Sequence, residues 1–311
     1  MTTDAEPSPV VGVGLQSIFG IETSGRQIVE WAQRAEQLGF HSLATLDNLC
    51  ADGWDPFVSL SAAAASTSRI RLATTILLLP NRNEVHVAKQ LASLDALSGG
   101  RVDFGTSVGG RTSDYTTVGA SFDDRGKRFE EQLTWMRAWF RDVGHTDAMP
   151  GGPRPHQDGG PPIWIGGRHR VAVARALTFG DGFVIGPVGA PNTAAAAAGV
   201  RGAAQAVGRD DLAIIGMVYC AIGEPADAAL ATAVTNVSRY EQLWADPAEL
   251  IVHGSIEQVS ARLAAFRDIG LDQLIVYPLI PGVEQLDDLA TATRASGLTL
   301  HDEGDSTRGP T

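Results

Sequence analysis

Short runs of consecutive apolar residues alternate along this chain with longer stretches in which apolar positions recur at helical spacing. Runs of the first kind are typical of strands buried on both faces, and stretches of the second kind are typical of amphipathic helices. The runs predict strands at residues 10–15, 40–46, 70–79, 101–108, 163–165, 182–185, 212–222 and 273–277. Because helical stretches separate them, the pattern predicts a parallel sheet with right-handed crossovers. An open doubly wound sheet and a closed (β/α)8 TIM barrel both fit, and the number of strands favours the barrel.

Two capping boxes mark the starts of predicted helices. Ser24 with Gln27, and Ser255 with Gln258, have the spacing at which each side chain bonds the backbone of the other residue. The first helix is expected to bury one stripe, formed by Ile28, Trp31, Ala32 and Ala35. The second is predicted to end near Gly270, a residue type that favours helix ends.

The rest of the pattern predicts one domain with irregular additions. A further helix is expected at residues 124–140, and the Gly- and Pro-rich stretch 141–162 predicts a long surface loop. The 311 residues fit a single barrel domain with inserted segments. Residues 1–9 and 302–311 are predicted to be flexible tails, because they are polar and lie at the termini.

Composition and charge narrow the classes of function. The formal net charge of −12 argues against nucleic acid and anionic membranes as partners, because both attract basic surfaces. No signal peptide and no apolar run long enough for a transmembrane helix is seen. The two cysteines, Cys50 and Cys220, form no disulfide framework or metal motif, so a reducing cytoplasm fits best. The seven histidines show no zinc-binding spacing, and no metal is predicted.

In a barrel, candidate catalytic groups belong to the loops that follow the strands. Asp47 and Asn48 follow the second predicted strand, and Asp47 either bonds a ring edge, transfers a proton, or caps a turn. Arg82, after the third strand, is more typical of a surface salt bridge than of a ligand contact. Tyr115 is a candidate wall of the site, or a packing residue.

Two glycine turns are candidate anion sites. Gly109, Gly110 and Arg111 follow the fourth strand, and this signal is weak by itself. The fifth strand is followed by Gly166, Gly167, Arg168 and His169, which lead into a helix. Glycines and basic side chains at a helix N-terminus are typical of a phosphate site. A tight turn with solvated arginines is an equal alternative.

At these residues the chain resembles the luciferase-like monooxygenase family, and most closely the branch that uses the deazaflavin coenzyme F-420. The resemblance runs from about Val10 to Ala292. Its matching segments are Asp55-Pro56-Phe57, Ser68-Arg69-Ile70-Arg71-Leu72-Ala73-Thr74, Leu94-Asp95-Ala96-Leu97-Ser98-Gly99-Gly100-Arg101-Val102, Pro161-Pro162-Ile163-Trp164-Ile165-Gly166-Gly167, Gly180-Asp181-Gly182 and Gly254-Ser255-Ile256-Glu257-Gln258-Val259. The segments that begin at Leu94 and at Pro161 are specific to this family when they occur together.

The resemblance implies a barrel with a flavin-like ring in its mouth, and a homodimer. It implies a bulge with a non-proline cis peptide behind the ring, near Thr75 and Ile76. It places the cofactor phosphate near Gly109, Gly110, Gly166, Gly167 and Arg168, with Arg111 and His169 beside them. It puts Asp114 where the family often has a Glu near the ring and the substrate.

The chain departs from the family pattern at several site positions. The family often has an acid followed by His after the second strand, whereas this chain has Asp47 and Asn48. Asn donates a hydrogen bond but does not titrate near neutral pH, so a mechanism with an imidazole base is in doubt. The frequent Gly-Val-Gly is here Gly105-Thr106-Ser107, and Arg-His-Pro is Arg82-Asn83-Glu84.

The resemblance leaves three hypotheses about function. The first is a hydride transfer between F-420 and a small organic substrate, with Asp47, Asn48 and Asp114 near the reacting atoms. The second is a two-component monooxygenase that uses FMN reduced by a partner reductase. The third is a non-catalytic flavin or deazaflavin binder, which the missing His supports.

Overall fold

The computed structural model describes residues 8–16, 23–50, 53–142, 152–238 and 246–301. The predicted tail at 302–311 and residues 1–7 of the predicted N-terminal tail lie outside these ranges. Ser8 and Pro9 are described, and both bond the C-terminal part of the barrel: the Ser8 hydroxyl donates to the Gly297 carbonyl at 3.2 Å, and the Pro9 carbonyl accepts from the Thr299 N–H.

Within these ranges, nine parallel strands form one sheet. Their bounds are β1 Val10–Gly14, β2 Ser42–Thr45, β3 Arg71–Leu78, β4 Val102–Ser107, β5 Ile163–Gly166, β6 Gly182–Ile185, β7 Ala213–Ile222, β8 Ile251–Gly254 and β9 Gln273–Pro278. The helices are α1 Gly25–Gln37, α2 Pro56–Ser66, α3 Glu84–Ser98, α4 Thr112–Thr117, α5 Arg125–Asp142, α6 Arg170–Phe179, α7 Ala190–Gln205, α8 Ala226–Ser238, α9 Pro247–Leu250, α10 Ile256–Leu263 and α11 Glu284–Ala295.

Eight of the strands close into the predicted TIM barrel. Each of β1 to β7 pairs with its successor or predecessor, and β9 lies between β7 and β1. The remaining strand, β8, was not predicted. It pairs only with the end of β7, where Tyr219 lies opposite Ile251. Helices cover the outside, as the alternating pattern requires.

Most predicted elements agree with the structure within two residues at either end, and both capping boxes are formed. Three details differ from the predictions. Helix α5 continues to Asp142, two residues into the predicted loop at 141–162, and residues 143–151 of that stretch lie outside the described ranges. The helix after Ser255 ends at Leu263 and continues as a 3-10 turn. Residues 112–117, for which no element was predicted, form α4.

Alternating residues of the strands divide the core into two parts. On β7, Ile214 and Val218 pack with the surrounding helices, whereas Ile215, Met217 and Tyr219 pack with residues of the other strands. The second set therefore fills the barrel interior. None of the helices in the described ranges is long and apolar enough to cross a membrane.

Residues of the resemblance blocks hold the amino-terminal ends of the strands. Buried Arg101 donates to the Ala64 carbonyl at 3.0 Å and to the Ile70 carbonyl at 2.8 Å, which ties α2 to the start of β3. Asp95 accepts two hydrogen bonds from Gln157. These motifs stabilise the end of the barrel opposite the site, because the N-terminal face of a TIM barrel carries stability rather than chemistry.

Candidate functional site

The predicted site residues lie after β2, β3, β4 and β5, four adjacent strands whose carboxyl ends meet at one side of the barrel mouth. The strand register aligns these ends: Leu78 on β3 lies opposite Ser107 on β4, and Thr106 on β4 lies opposite Ile165 on β5. Loops that are far apart in sequence are therefore neighbours in space.

The end of β3 is irregular, as the resemblance implies. Its register with β4 shifts between Thr74 and Leu77, and the peptide bond between Thr75 and Ile76 is cis. The Thr75 Oγ1 lies 2.5 Å from the Tyr277 hydroxyl, and both side chains are buried. Burial raises the pKa of Tyr277 despite this hydrogen bond, so the phenol stays protonated.

Two glycines leave room for the Ile76 side chain at this end of the barrel. A Cβ at Gly166 would lie 3.0 Å from Ile76 Cγ2, and a Cβ at Gly105 would lie 2.0 Å from the Thr74 carbonyl oxygen and 3.5 Å from Ile76 Cγ2. Side chains at either glycine would push Ile76 or β3 away. The two small residues and Ile76 thus form an apolar floor beneath the mouth.

Asp47 is engaged on both carboxylate oxygens. Its Oδ2 accepts from the Leu78 N–H at 3.0 Å and from Arg82 Nε at 3.3 Å, and its Oδ1 accepts from Arg82 Nη2 at 2.9 Å. Burial lowers the pKa of Arg82, but Asp47 and then Asp55 raise it more strongly, so the guanidinium stays charged. The structure places Asp47 in an ion pair that joins the ends of β2 and β3.

Asn48 is half-buried at the end of β2. Its Oδ1 accepts from the Cys50 N–H at 3.1 Å, an Asx turn, and its amide nitrogen has no hydrogen-bond partner among the described residues. Cys50 Sγ lies 3.3 Å from Thr117 Oγ1 on α4. Because α4 follows β4, the loop after β2 crosses the end of β3 to reach it.

Asp114 on α4 is 1% exposed. Its Oδ2 accepts from Arg111 Nε at 3.0 Å, whereas its Oδ1 is buried and has no hydrogen-bond partner among the residues that the structure describes. A buried carboxylate oxygen without a donor is unusual, because desolvation of a charged oxygen costs free energy. Such an atom fits a ligand that brings its own N–H or O–H.

In the glycine turn after β4, neighbouring residues of the protein already use one backbone donor and part of the space. The N–H of Gly109 donates to Ser107 Oγ at 3.1 Å, and a Cβ at Gly109 would lie 2.9 Å from the Leu78 side chain. Nothing lies within 4 Å of a Cβ built at Gly110. Tyr115 is buried, and its hydroxyl donates to the Val108 carbonyl. Burial raises the pKa of Tyr115 to about 12, which keeps this donor protonated.

The turn after β5 leads into the N-terminus of α6. His169 is the N-cap residue, but no side chain caps the helix. The first N–H groups of a helix have no intrahelical partner, so this end retains donors. Gly167 is needed here, because a Cβ would lie 2.4 Å from the Ala172 side chain. Arg168 and His169 are exposed beside it.

The structure thus brings the predicted residues to one side of the mouth, around the bulge of β3. Sequence reasoning did not single out Tyr277, whose only signal was an aromatic residue at the end of a strand. Within the described ranges, no group of three or more His, Cys, Asp or Glu side chains is arranged to hold a metal ion. A cavity of about 210 Å³, lined in part by Trp31, Glu30 and Glu284, contains none of the predicted site residues.

Comparison with known sequences gives a family match and several partial matches. Residues 11–273 match the family described as luciferase-like monooxygenase. An uncharacterized protein of Mycobacterium tuberculosis is 43% identical over 89 residues, 28% of this chain and 32% of that protein. N-acetyl-S-alkylcysteine monooxygenase of Bacillus subtilis is 32% identical over 165 residues, 50% of this chain and 49% of that enzyme. The chain thus spans about a third to a half of these relatives.

Solved structures share the fold over nearly the whole chain. The monooxygenase RslO1 from Streptomyces bottropensis has a TM-score of 0.74 at 22% identity, covering 92% of this chain and 97% of that one. An F-420-dependent secondary alcohol dehydrogenase, solved with an F-420–acetone adduct, has a TM-score of 0.73 at 17% identity, covering 93% and 99%. At these identities the likeness shows the barrel architecture alone.

Proposed function

Because the chain belongs to the luciferase-like monooxygenase family, we propose that it is an F-420-dependent oxidoreductase that transfers a hydride between the deazaflavin and a small organic substrate. The observation that carries this proposal is the bulged end of β3, where Ile76 packs over Gly105 and Gly166, together with the open carboxylate oxygen of Asp114 on α4, the helix that follows β4. A flat ring needs an apolar floor and a few polar groups at its edge, and this arrangement offers both.

The residues present fit such a cofactor. When bound, F-420 would supply the hydride chemistry, and the protein would supply position and electrostatics. The amide nitrogen of Asn48 is available to donate a hydrogen bond, and Asp114 Oδ1 is available to accept one. The uncapped N-terminus of α6, with Gly167, Arg168 and His169, would hold the phosphate.

Within this proposal Asp47 has a supporting task. Both its oxygens already accept hydrogen bonds from Arg82 and Leu78, so it would keep the neighbouring Asn48 in place. Gly110 and Arg111 would border the phosphate side of the mouth. The Gly109 N–H donates to Ser107, so Gly109 would contribute its small size rather than its donor.

A second candidate, an FMN-dependent two-component monooxygenase, is favoured by the names of sequence relatives. One is called N-acetyl-S-alkylcysteine monooxygenase, and another is the oxygenase component of a flavin-dependent trigonelline monooxygenase from Acinetobacter baylyi. In that case a separate reductase would supply reduced FMN. The same floor and phosphate turn would serve, because both cofactors carry a tricyclic ring and a phosphate.

The deciding experiment is a fluorescence titration of the purified protein with oxidised F-420 and, separately, with FMN. Saturable binding of F-420 with weak binding of FMN is expected, and substrate screening would then follow. Preference for FMN would replace the first candidate with the second. Bound cofactor that stays in one redox state with every candidate substrate would point to a non-catalytic binder, and binding of neither would overturn both proposals.

A further inference from the structure

Arg82 lies between two carboxylates that begin and end the connection from β2 to α2. Its guanidinium bonds Asp47 through Nε and Nη2, and its Nη1 and Nη2 lie 3.2 Å from Asp55 Oδ2. Asp47 is almost fully buried, whereas the side chain of Asp55 is 38% exposed. One cation therefore clamps both ends of the segment that contains Asn48.

The clamp is itself held by the body of the barrel. The Arg82 N–H donates to the Leu79 carbonyl at 2.9 Å, and the Arg82 carbonyl accepts from Gln132 Nε2 on α5 at 2.9 Å. The backbone of Arg82 is thus fixed between β3 and α5. Its guanidinium bonds Asp47 and Asp55 and therefore holds the loop after β2 in place.

We propose that Arg82 is a positioning residue, which holds the loop after β2 so that the Asn48 amide faces a ligand in the mouth. This deepens the proposed function and rests on it for the identity of the ligand. Arginine suits the task because its planar fork bonds two carboxylates at once, whereas a lysine is a single point charge. Arg82→Lys therefore keeps the charge and removes the bridge.

The test that needs no cofactor is hydrogen exchange of the Cys50 and Leu78 amides, whose acceptors are Asn48 Oδ1 and Asp47 Oδ2. In Arg82→Lys both amides are expected to exchange about tenfold faster, as for a loss of about 1.4 kcal/mol of local stability. The matched control is Arg137→Lys, whose ion pair with Asp181 lies at the opposite end of the barrel. It is expected to leave both amides unchanged. Wild-type exchange in folded Arg82→Lys would overturn the clamp.

Asp55→Asn separates the two arms of the clamp. Asparagine still caps α2, where Asp55 now accepts from the Phe57 N–H, but it lacks the charge that pairs with Arg82. Exchange at Cys50 is expected to rise while exchange at Leu78 stays at the wild-type rate, because the Asp47 arm is intact. If the Cys50 amide exchanges at the wild-type rate in this variant, the clamp involves Asp47 alone, and a clamp that holds both Asp47 and Asp55 is refuted.

The positioning role is tested with F-420 and FMN as probes, followed by the absorbance shift of the bound ring. Arg82→Lys is expected to weaken binding about tenfold and to reduce the shift, while Arg137→Lys binds as wild type. A loosened loop with an unchanged shift would reduce Arg82 to a structural brace and overturn the positioning role. Failure of the wild-type protein to bind either probe would refute the proposed function, while the exchange result would still decide whether Arg82 holds the loop.

Discussion

At the residue scale, the feature that bears most on chemistry is the carboxylate of Asp114. One oxygen is held by Arg111, and the other is buried with no partner within the described ranges. The family resemblance pointed to this position, but its sequence neighbours gave no sign that one oxygen would stay open. That property depends on which side chains of α4 and the loop after β4 face each other after folding.

Asp114→Asn is expected to weaken F-420 binding about tenfold, because a charge-assisted hydrogen bond to the open oxygen contributes about 1.5–3 kcal/mol. The fold should persist, since asparagine has nearly the same shape and carries no buried charge. Fluorescence titration measures the effect. Asp268→Asn, at an exposed surface pair with Arg267, is the matched control and should bind as wild type. Equal binding by both variants would remove Asp114 from the ligand site.

Gly167→Ala is expected to destabilise the start of α6 by about 1–3 kcal/mol, because the added methyl would lie 2.4 Å from the Ala172 side chain. The control is Gly199→Ala on α7, where nothing lies within 4 Å of the new methyl. That change should stabilise the protein by about 0.5–1 kcal/mol through helix propensity. Urea denaturation measures both, and equal effects would contradict the close approach at Gly167.

At the element scale, the ends of the strands are held by single side chains that bond several backbone groups. Glu36 on α1 accepts from the N–H groups of Ser68, Arg69 and Ile70. Burial alone would raise the pKa of Glu36, but the hydrogen bonds from the three N–H groups lower it by a larger amount. The pKa of this carboxylate therefore lies below its ordinary value. Arg101 likewise bonds several backbone groups, because its guanidinium donates to carbonyl groups at the ends of α2 and α3.

Arg101→Lys is expected to lower the free energy of unfolding by about 3 kcal/mol, because lysine cannot reach the Ala64, Ile70 and Ser98 carbonyls together and leaves buried acceptors unpaired. Ligand binding at the opposite end of the barrel should be unaffected in the folded protein. Denaturation and the F-420 titration test the two statements separately. A loss of binding without a loss of stability would contradict a purely structural role.

At the scale of the whole molecule, the N-terminal end of the barrel carries a pair of histidines in contact. His41 Nδ1 lies 2.7 Å from His301 Nε2, close to the end of the described chain. Burial, followed by His301 and Arg71, lowers the pKa of His41 to about 4. The unfolded chain therefore binds a proton at higher pH than the folded chain does.

Neutral His41 is accordingly expected to contribute stability that is fully present above pH 6.5 and that falls by at most about 3 kcal/mol as the pH drops from 6.5 to 4. His41→Gln removes the titrating group and should flatten this part of the curve. Denaturation midpoints at several pH values provide the measurement. If the wild-type curve is already flat between pH 6.5 and 4, protonation of His41 does not lower the free energy of unfolding, and the prediction is wrong.

The surface of α2 and α3 bears on assembly. Val58 on α2 is 58% exposed, and Val85 and Leu97 on α3 are 49% and 58% exposed. The resemblance implies a homodimer, and exposed apolar side chains on these two helices would favour one. Sedimentation is expected to give a dimer for the wild type and a monomer for Val58→Glu. A monomeric wild type would contradict the prediction.

Much of the fold and part of the site could be predicted from sequence, for a local reason. Hydrophobic periodicity places the eight barrel strands, and the two Ser-x-x-Gln pairs place helix starts, because both depend on residues within one or two turns of each other. The glycine turn before α6 is likewise visible as a sequence pattern. The strand β8, Ile251–Gly254, was missed because only two of its residues, Ile251 and Val252, are apolar, and it ends directly before a predicted helix cap.

What only the tertiary structure decided are the pairings between distant residues. The chain order allows an open or a closed sheet, and the contacts of β9 with both β1 and β7 close it. Arg82 and Asp47 are 35 residues apart, and the open oxygen of Asp114 exists because no donor from the described part of the chain reaches it. Sequence alone determined most of the elements, since these depend on local periodicity. The site required the structure, since it depends on which strand ends become neighbours.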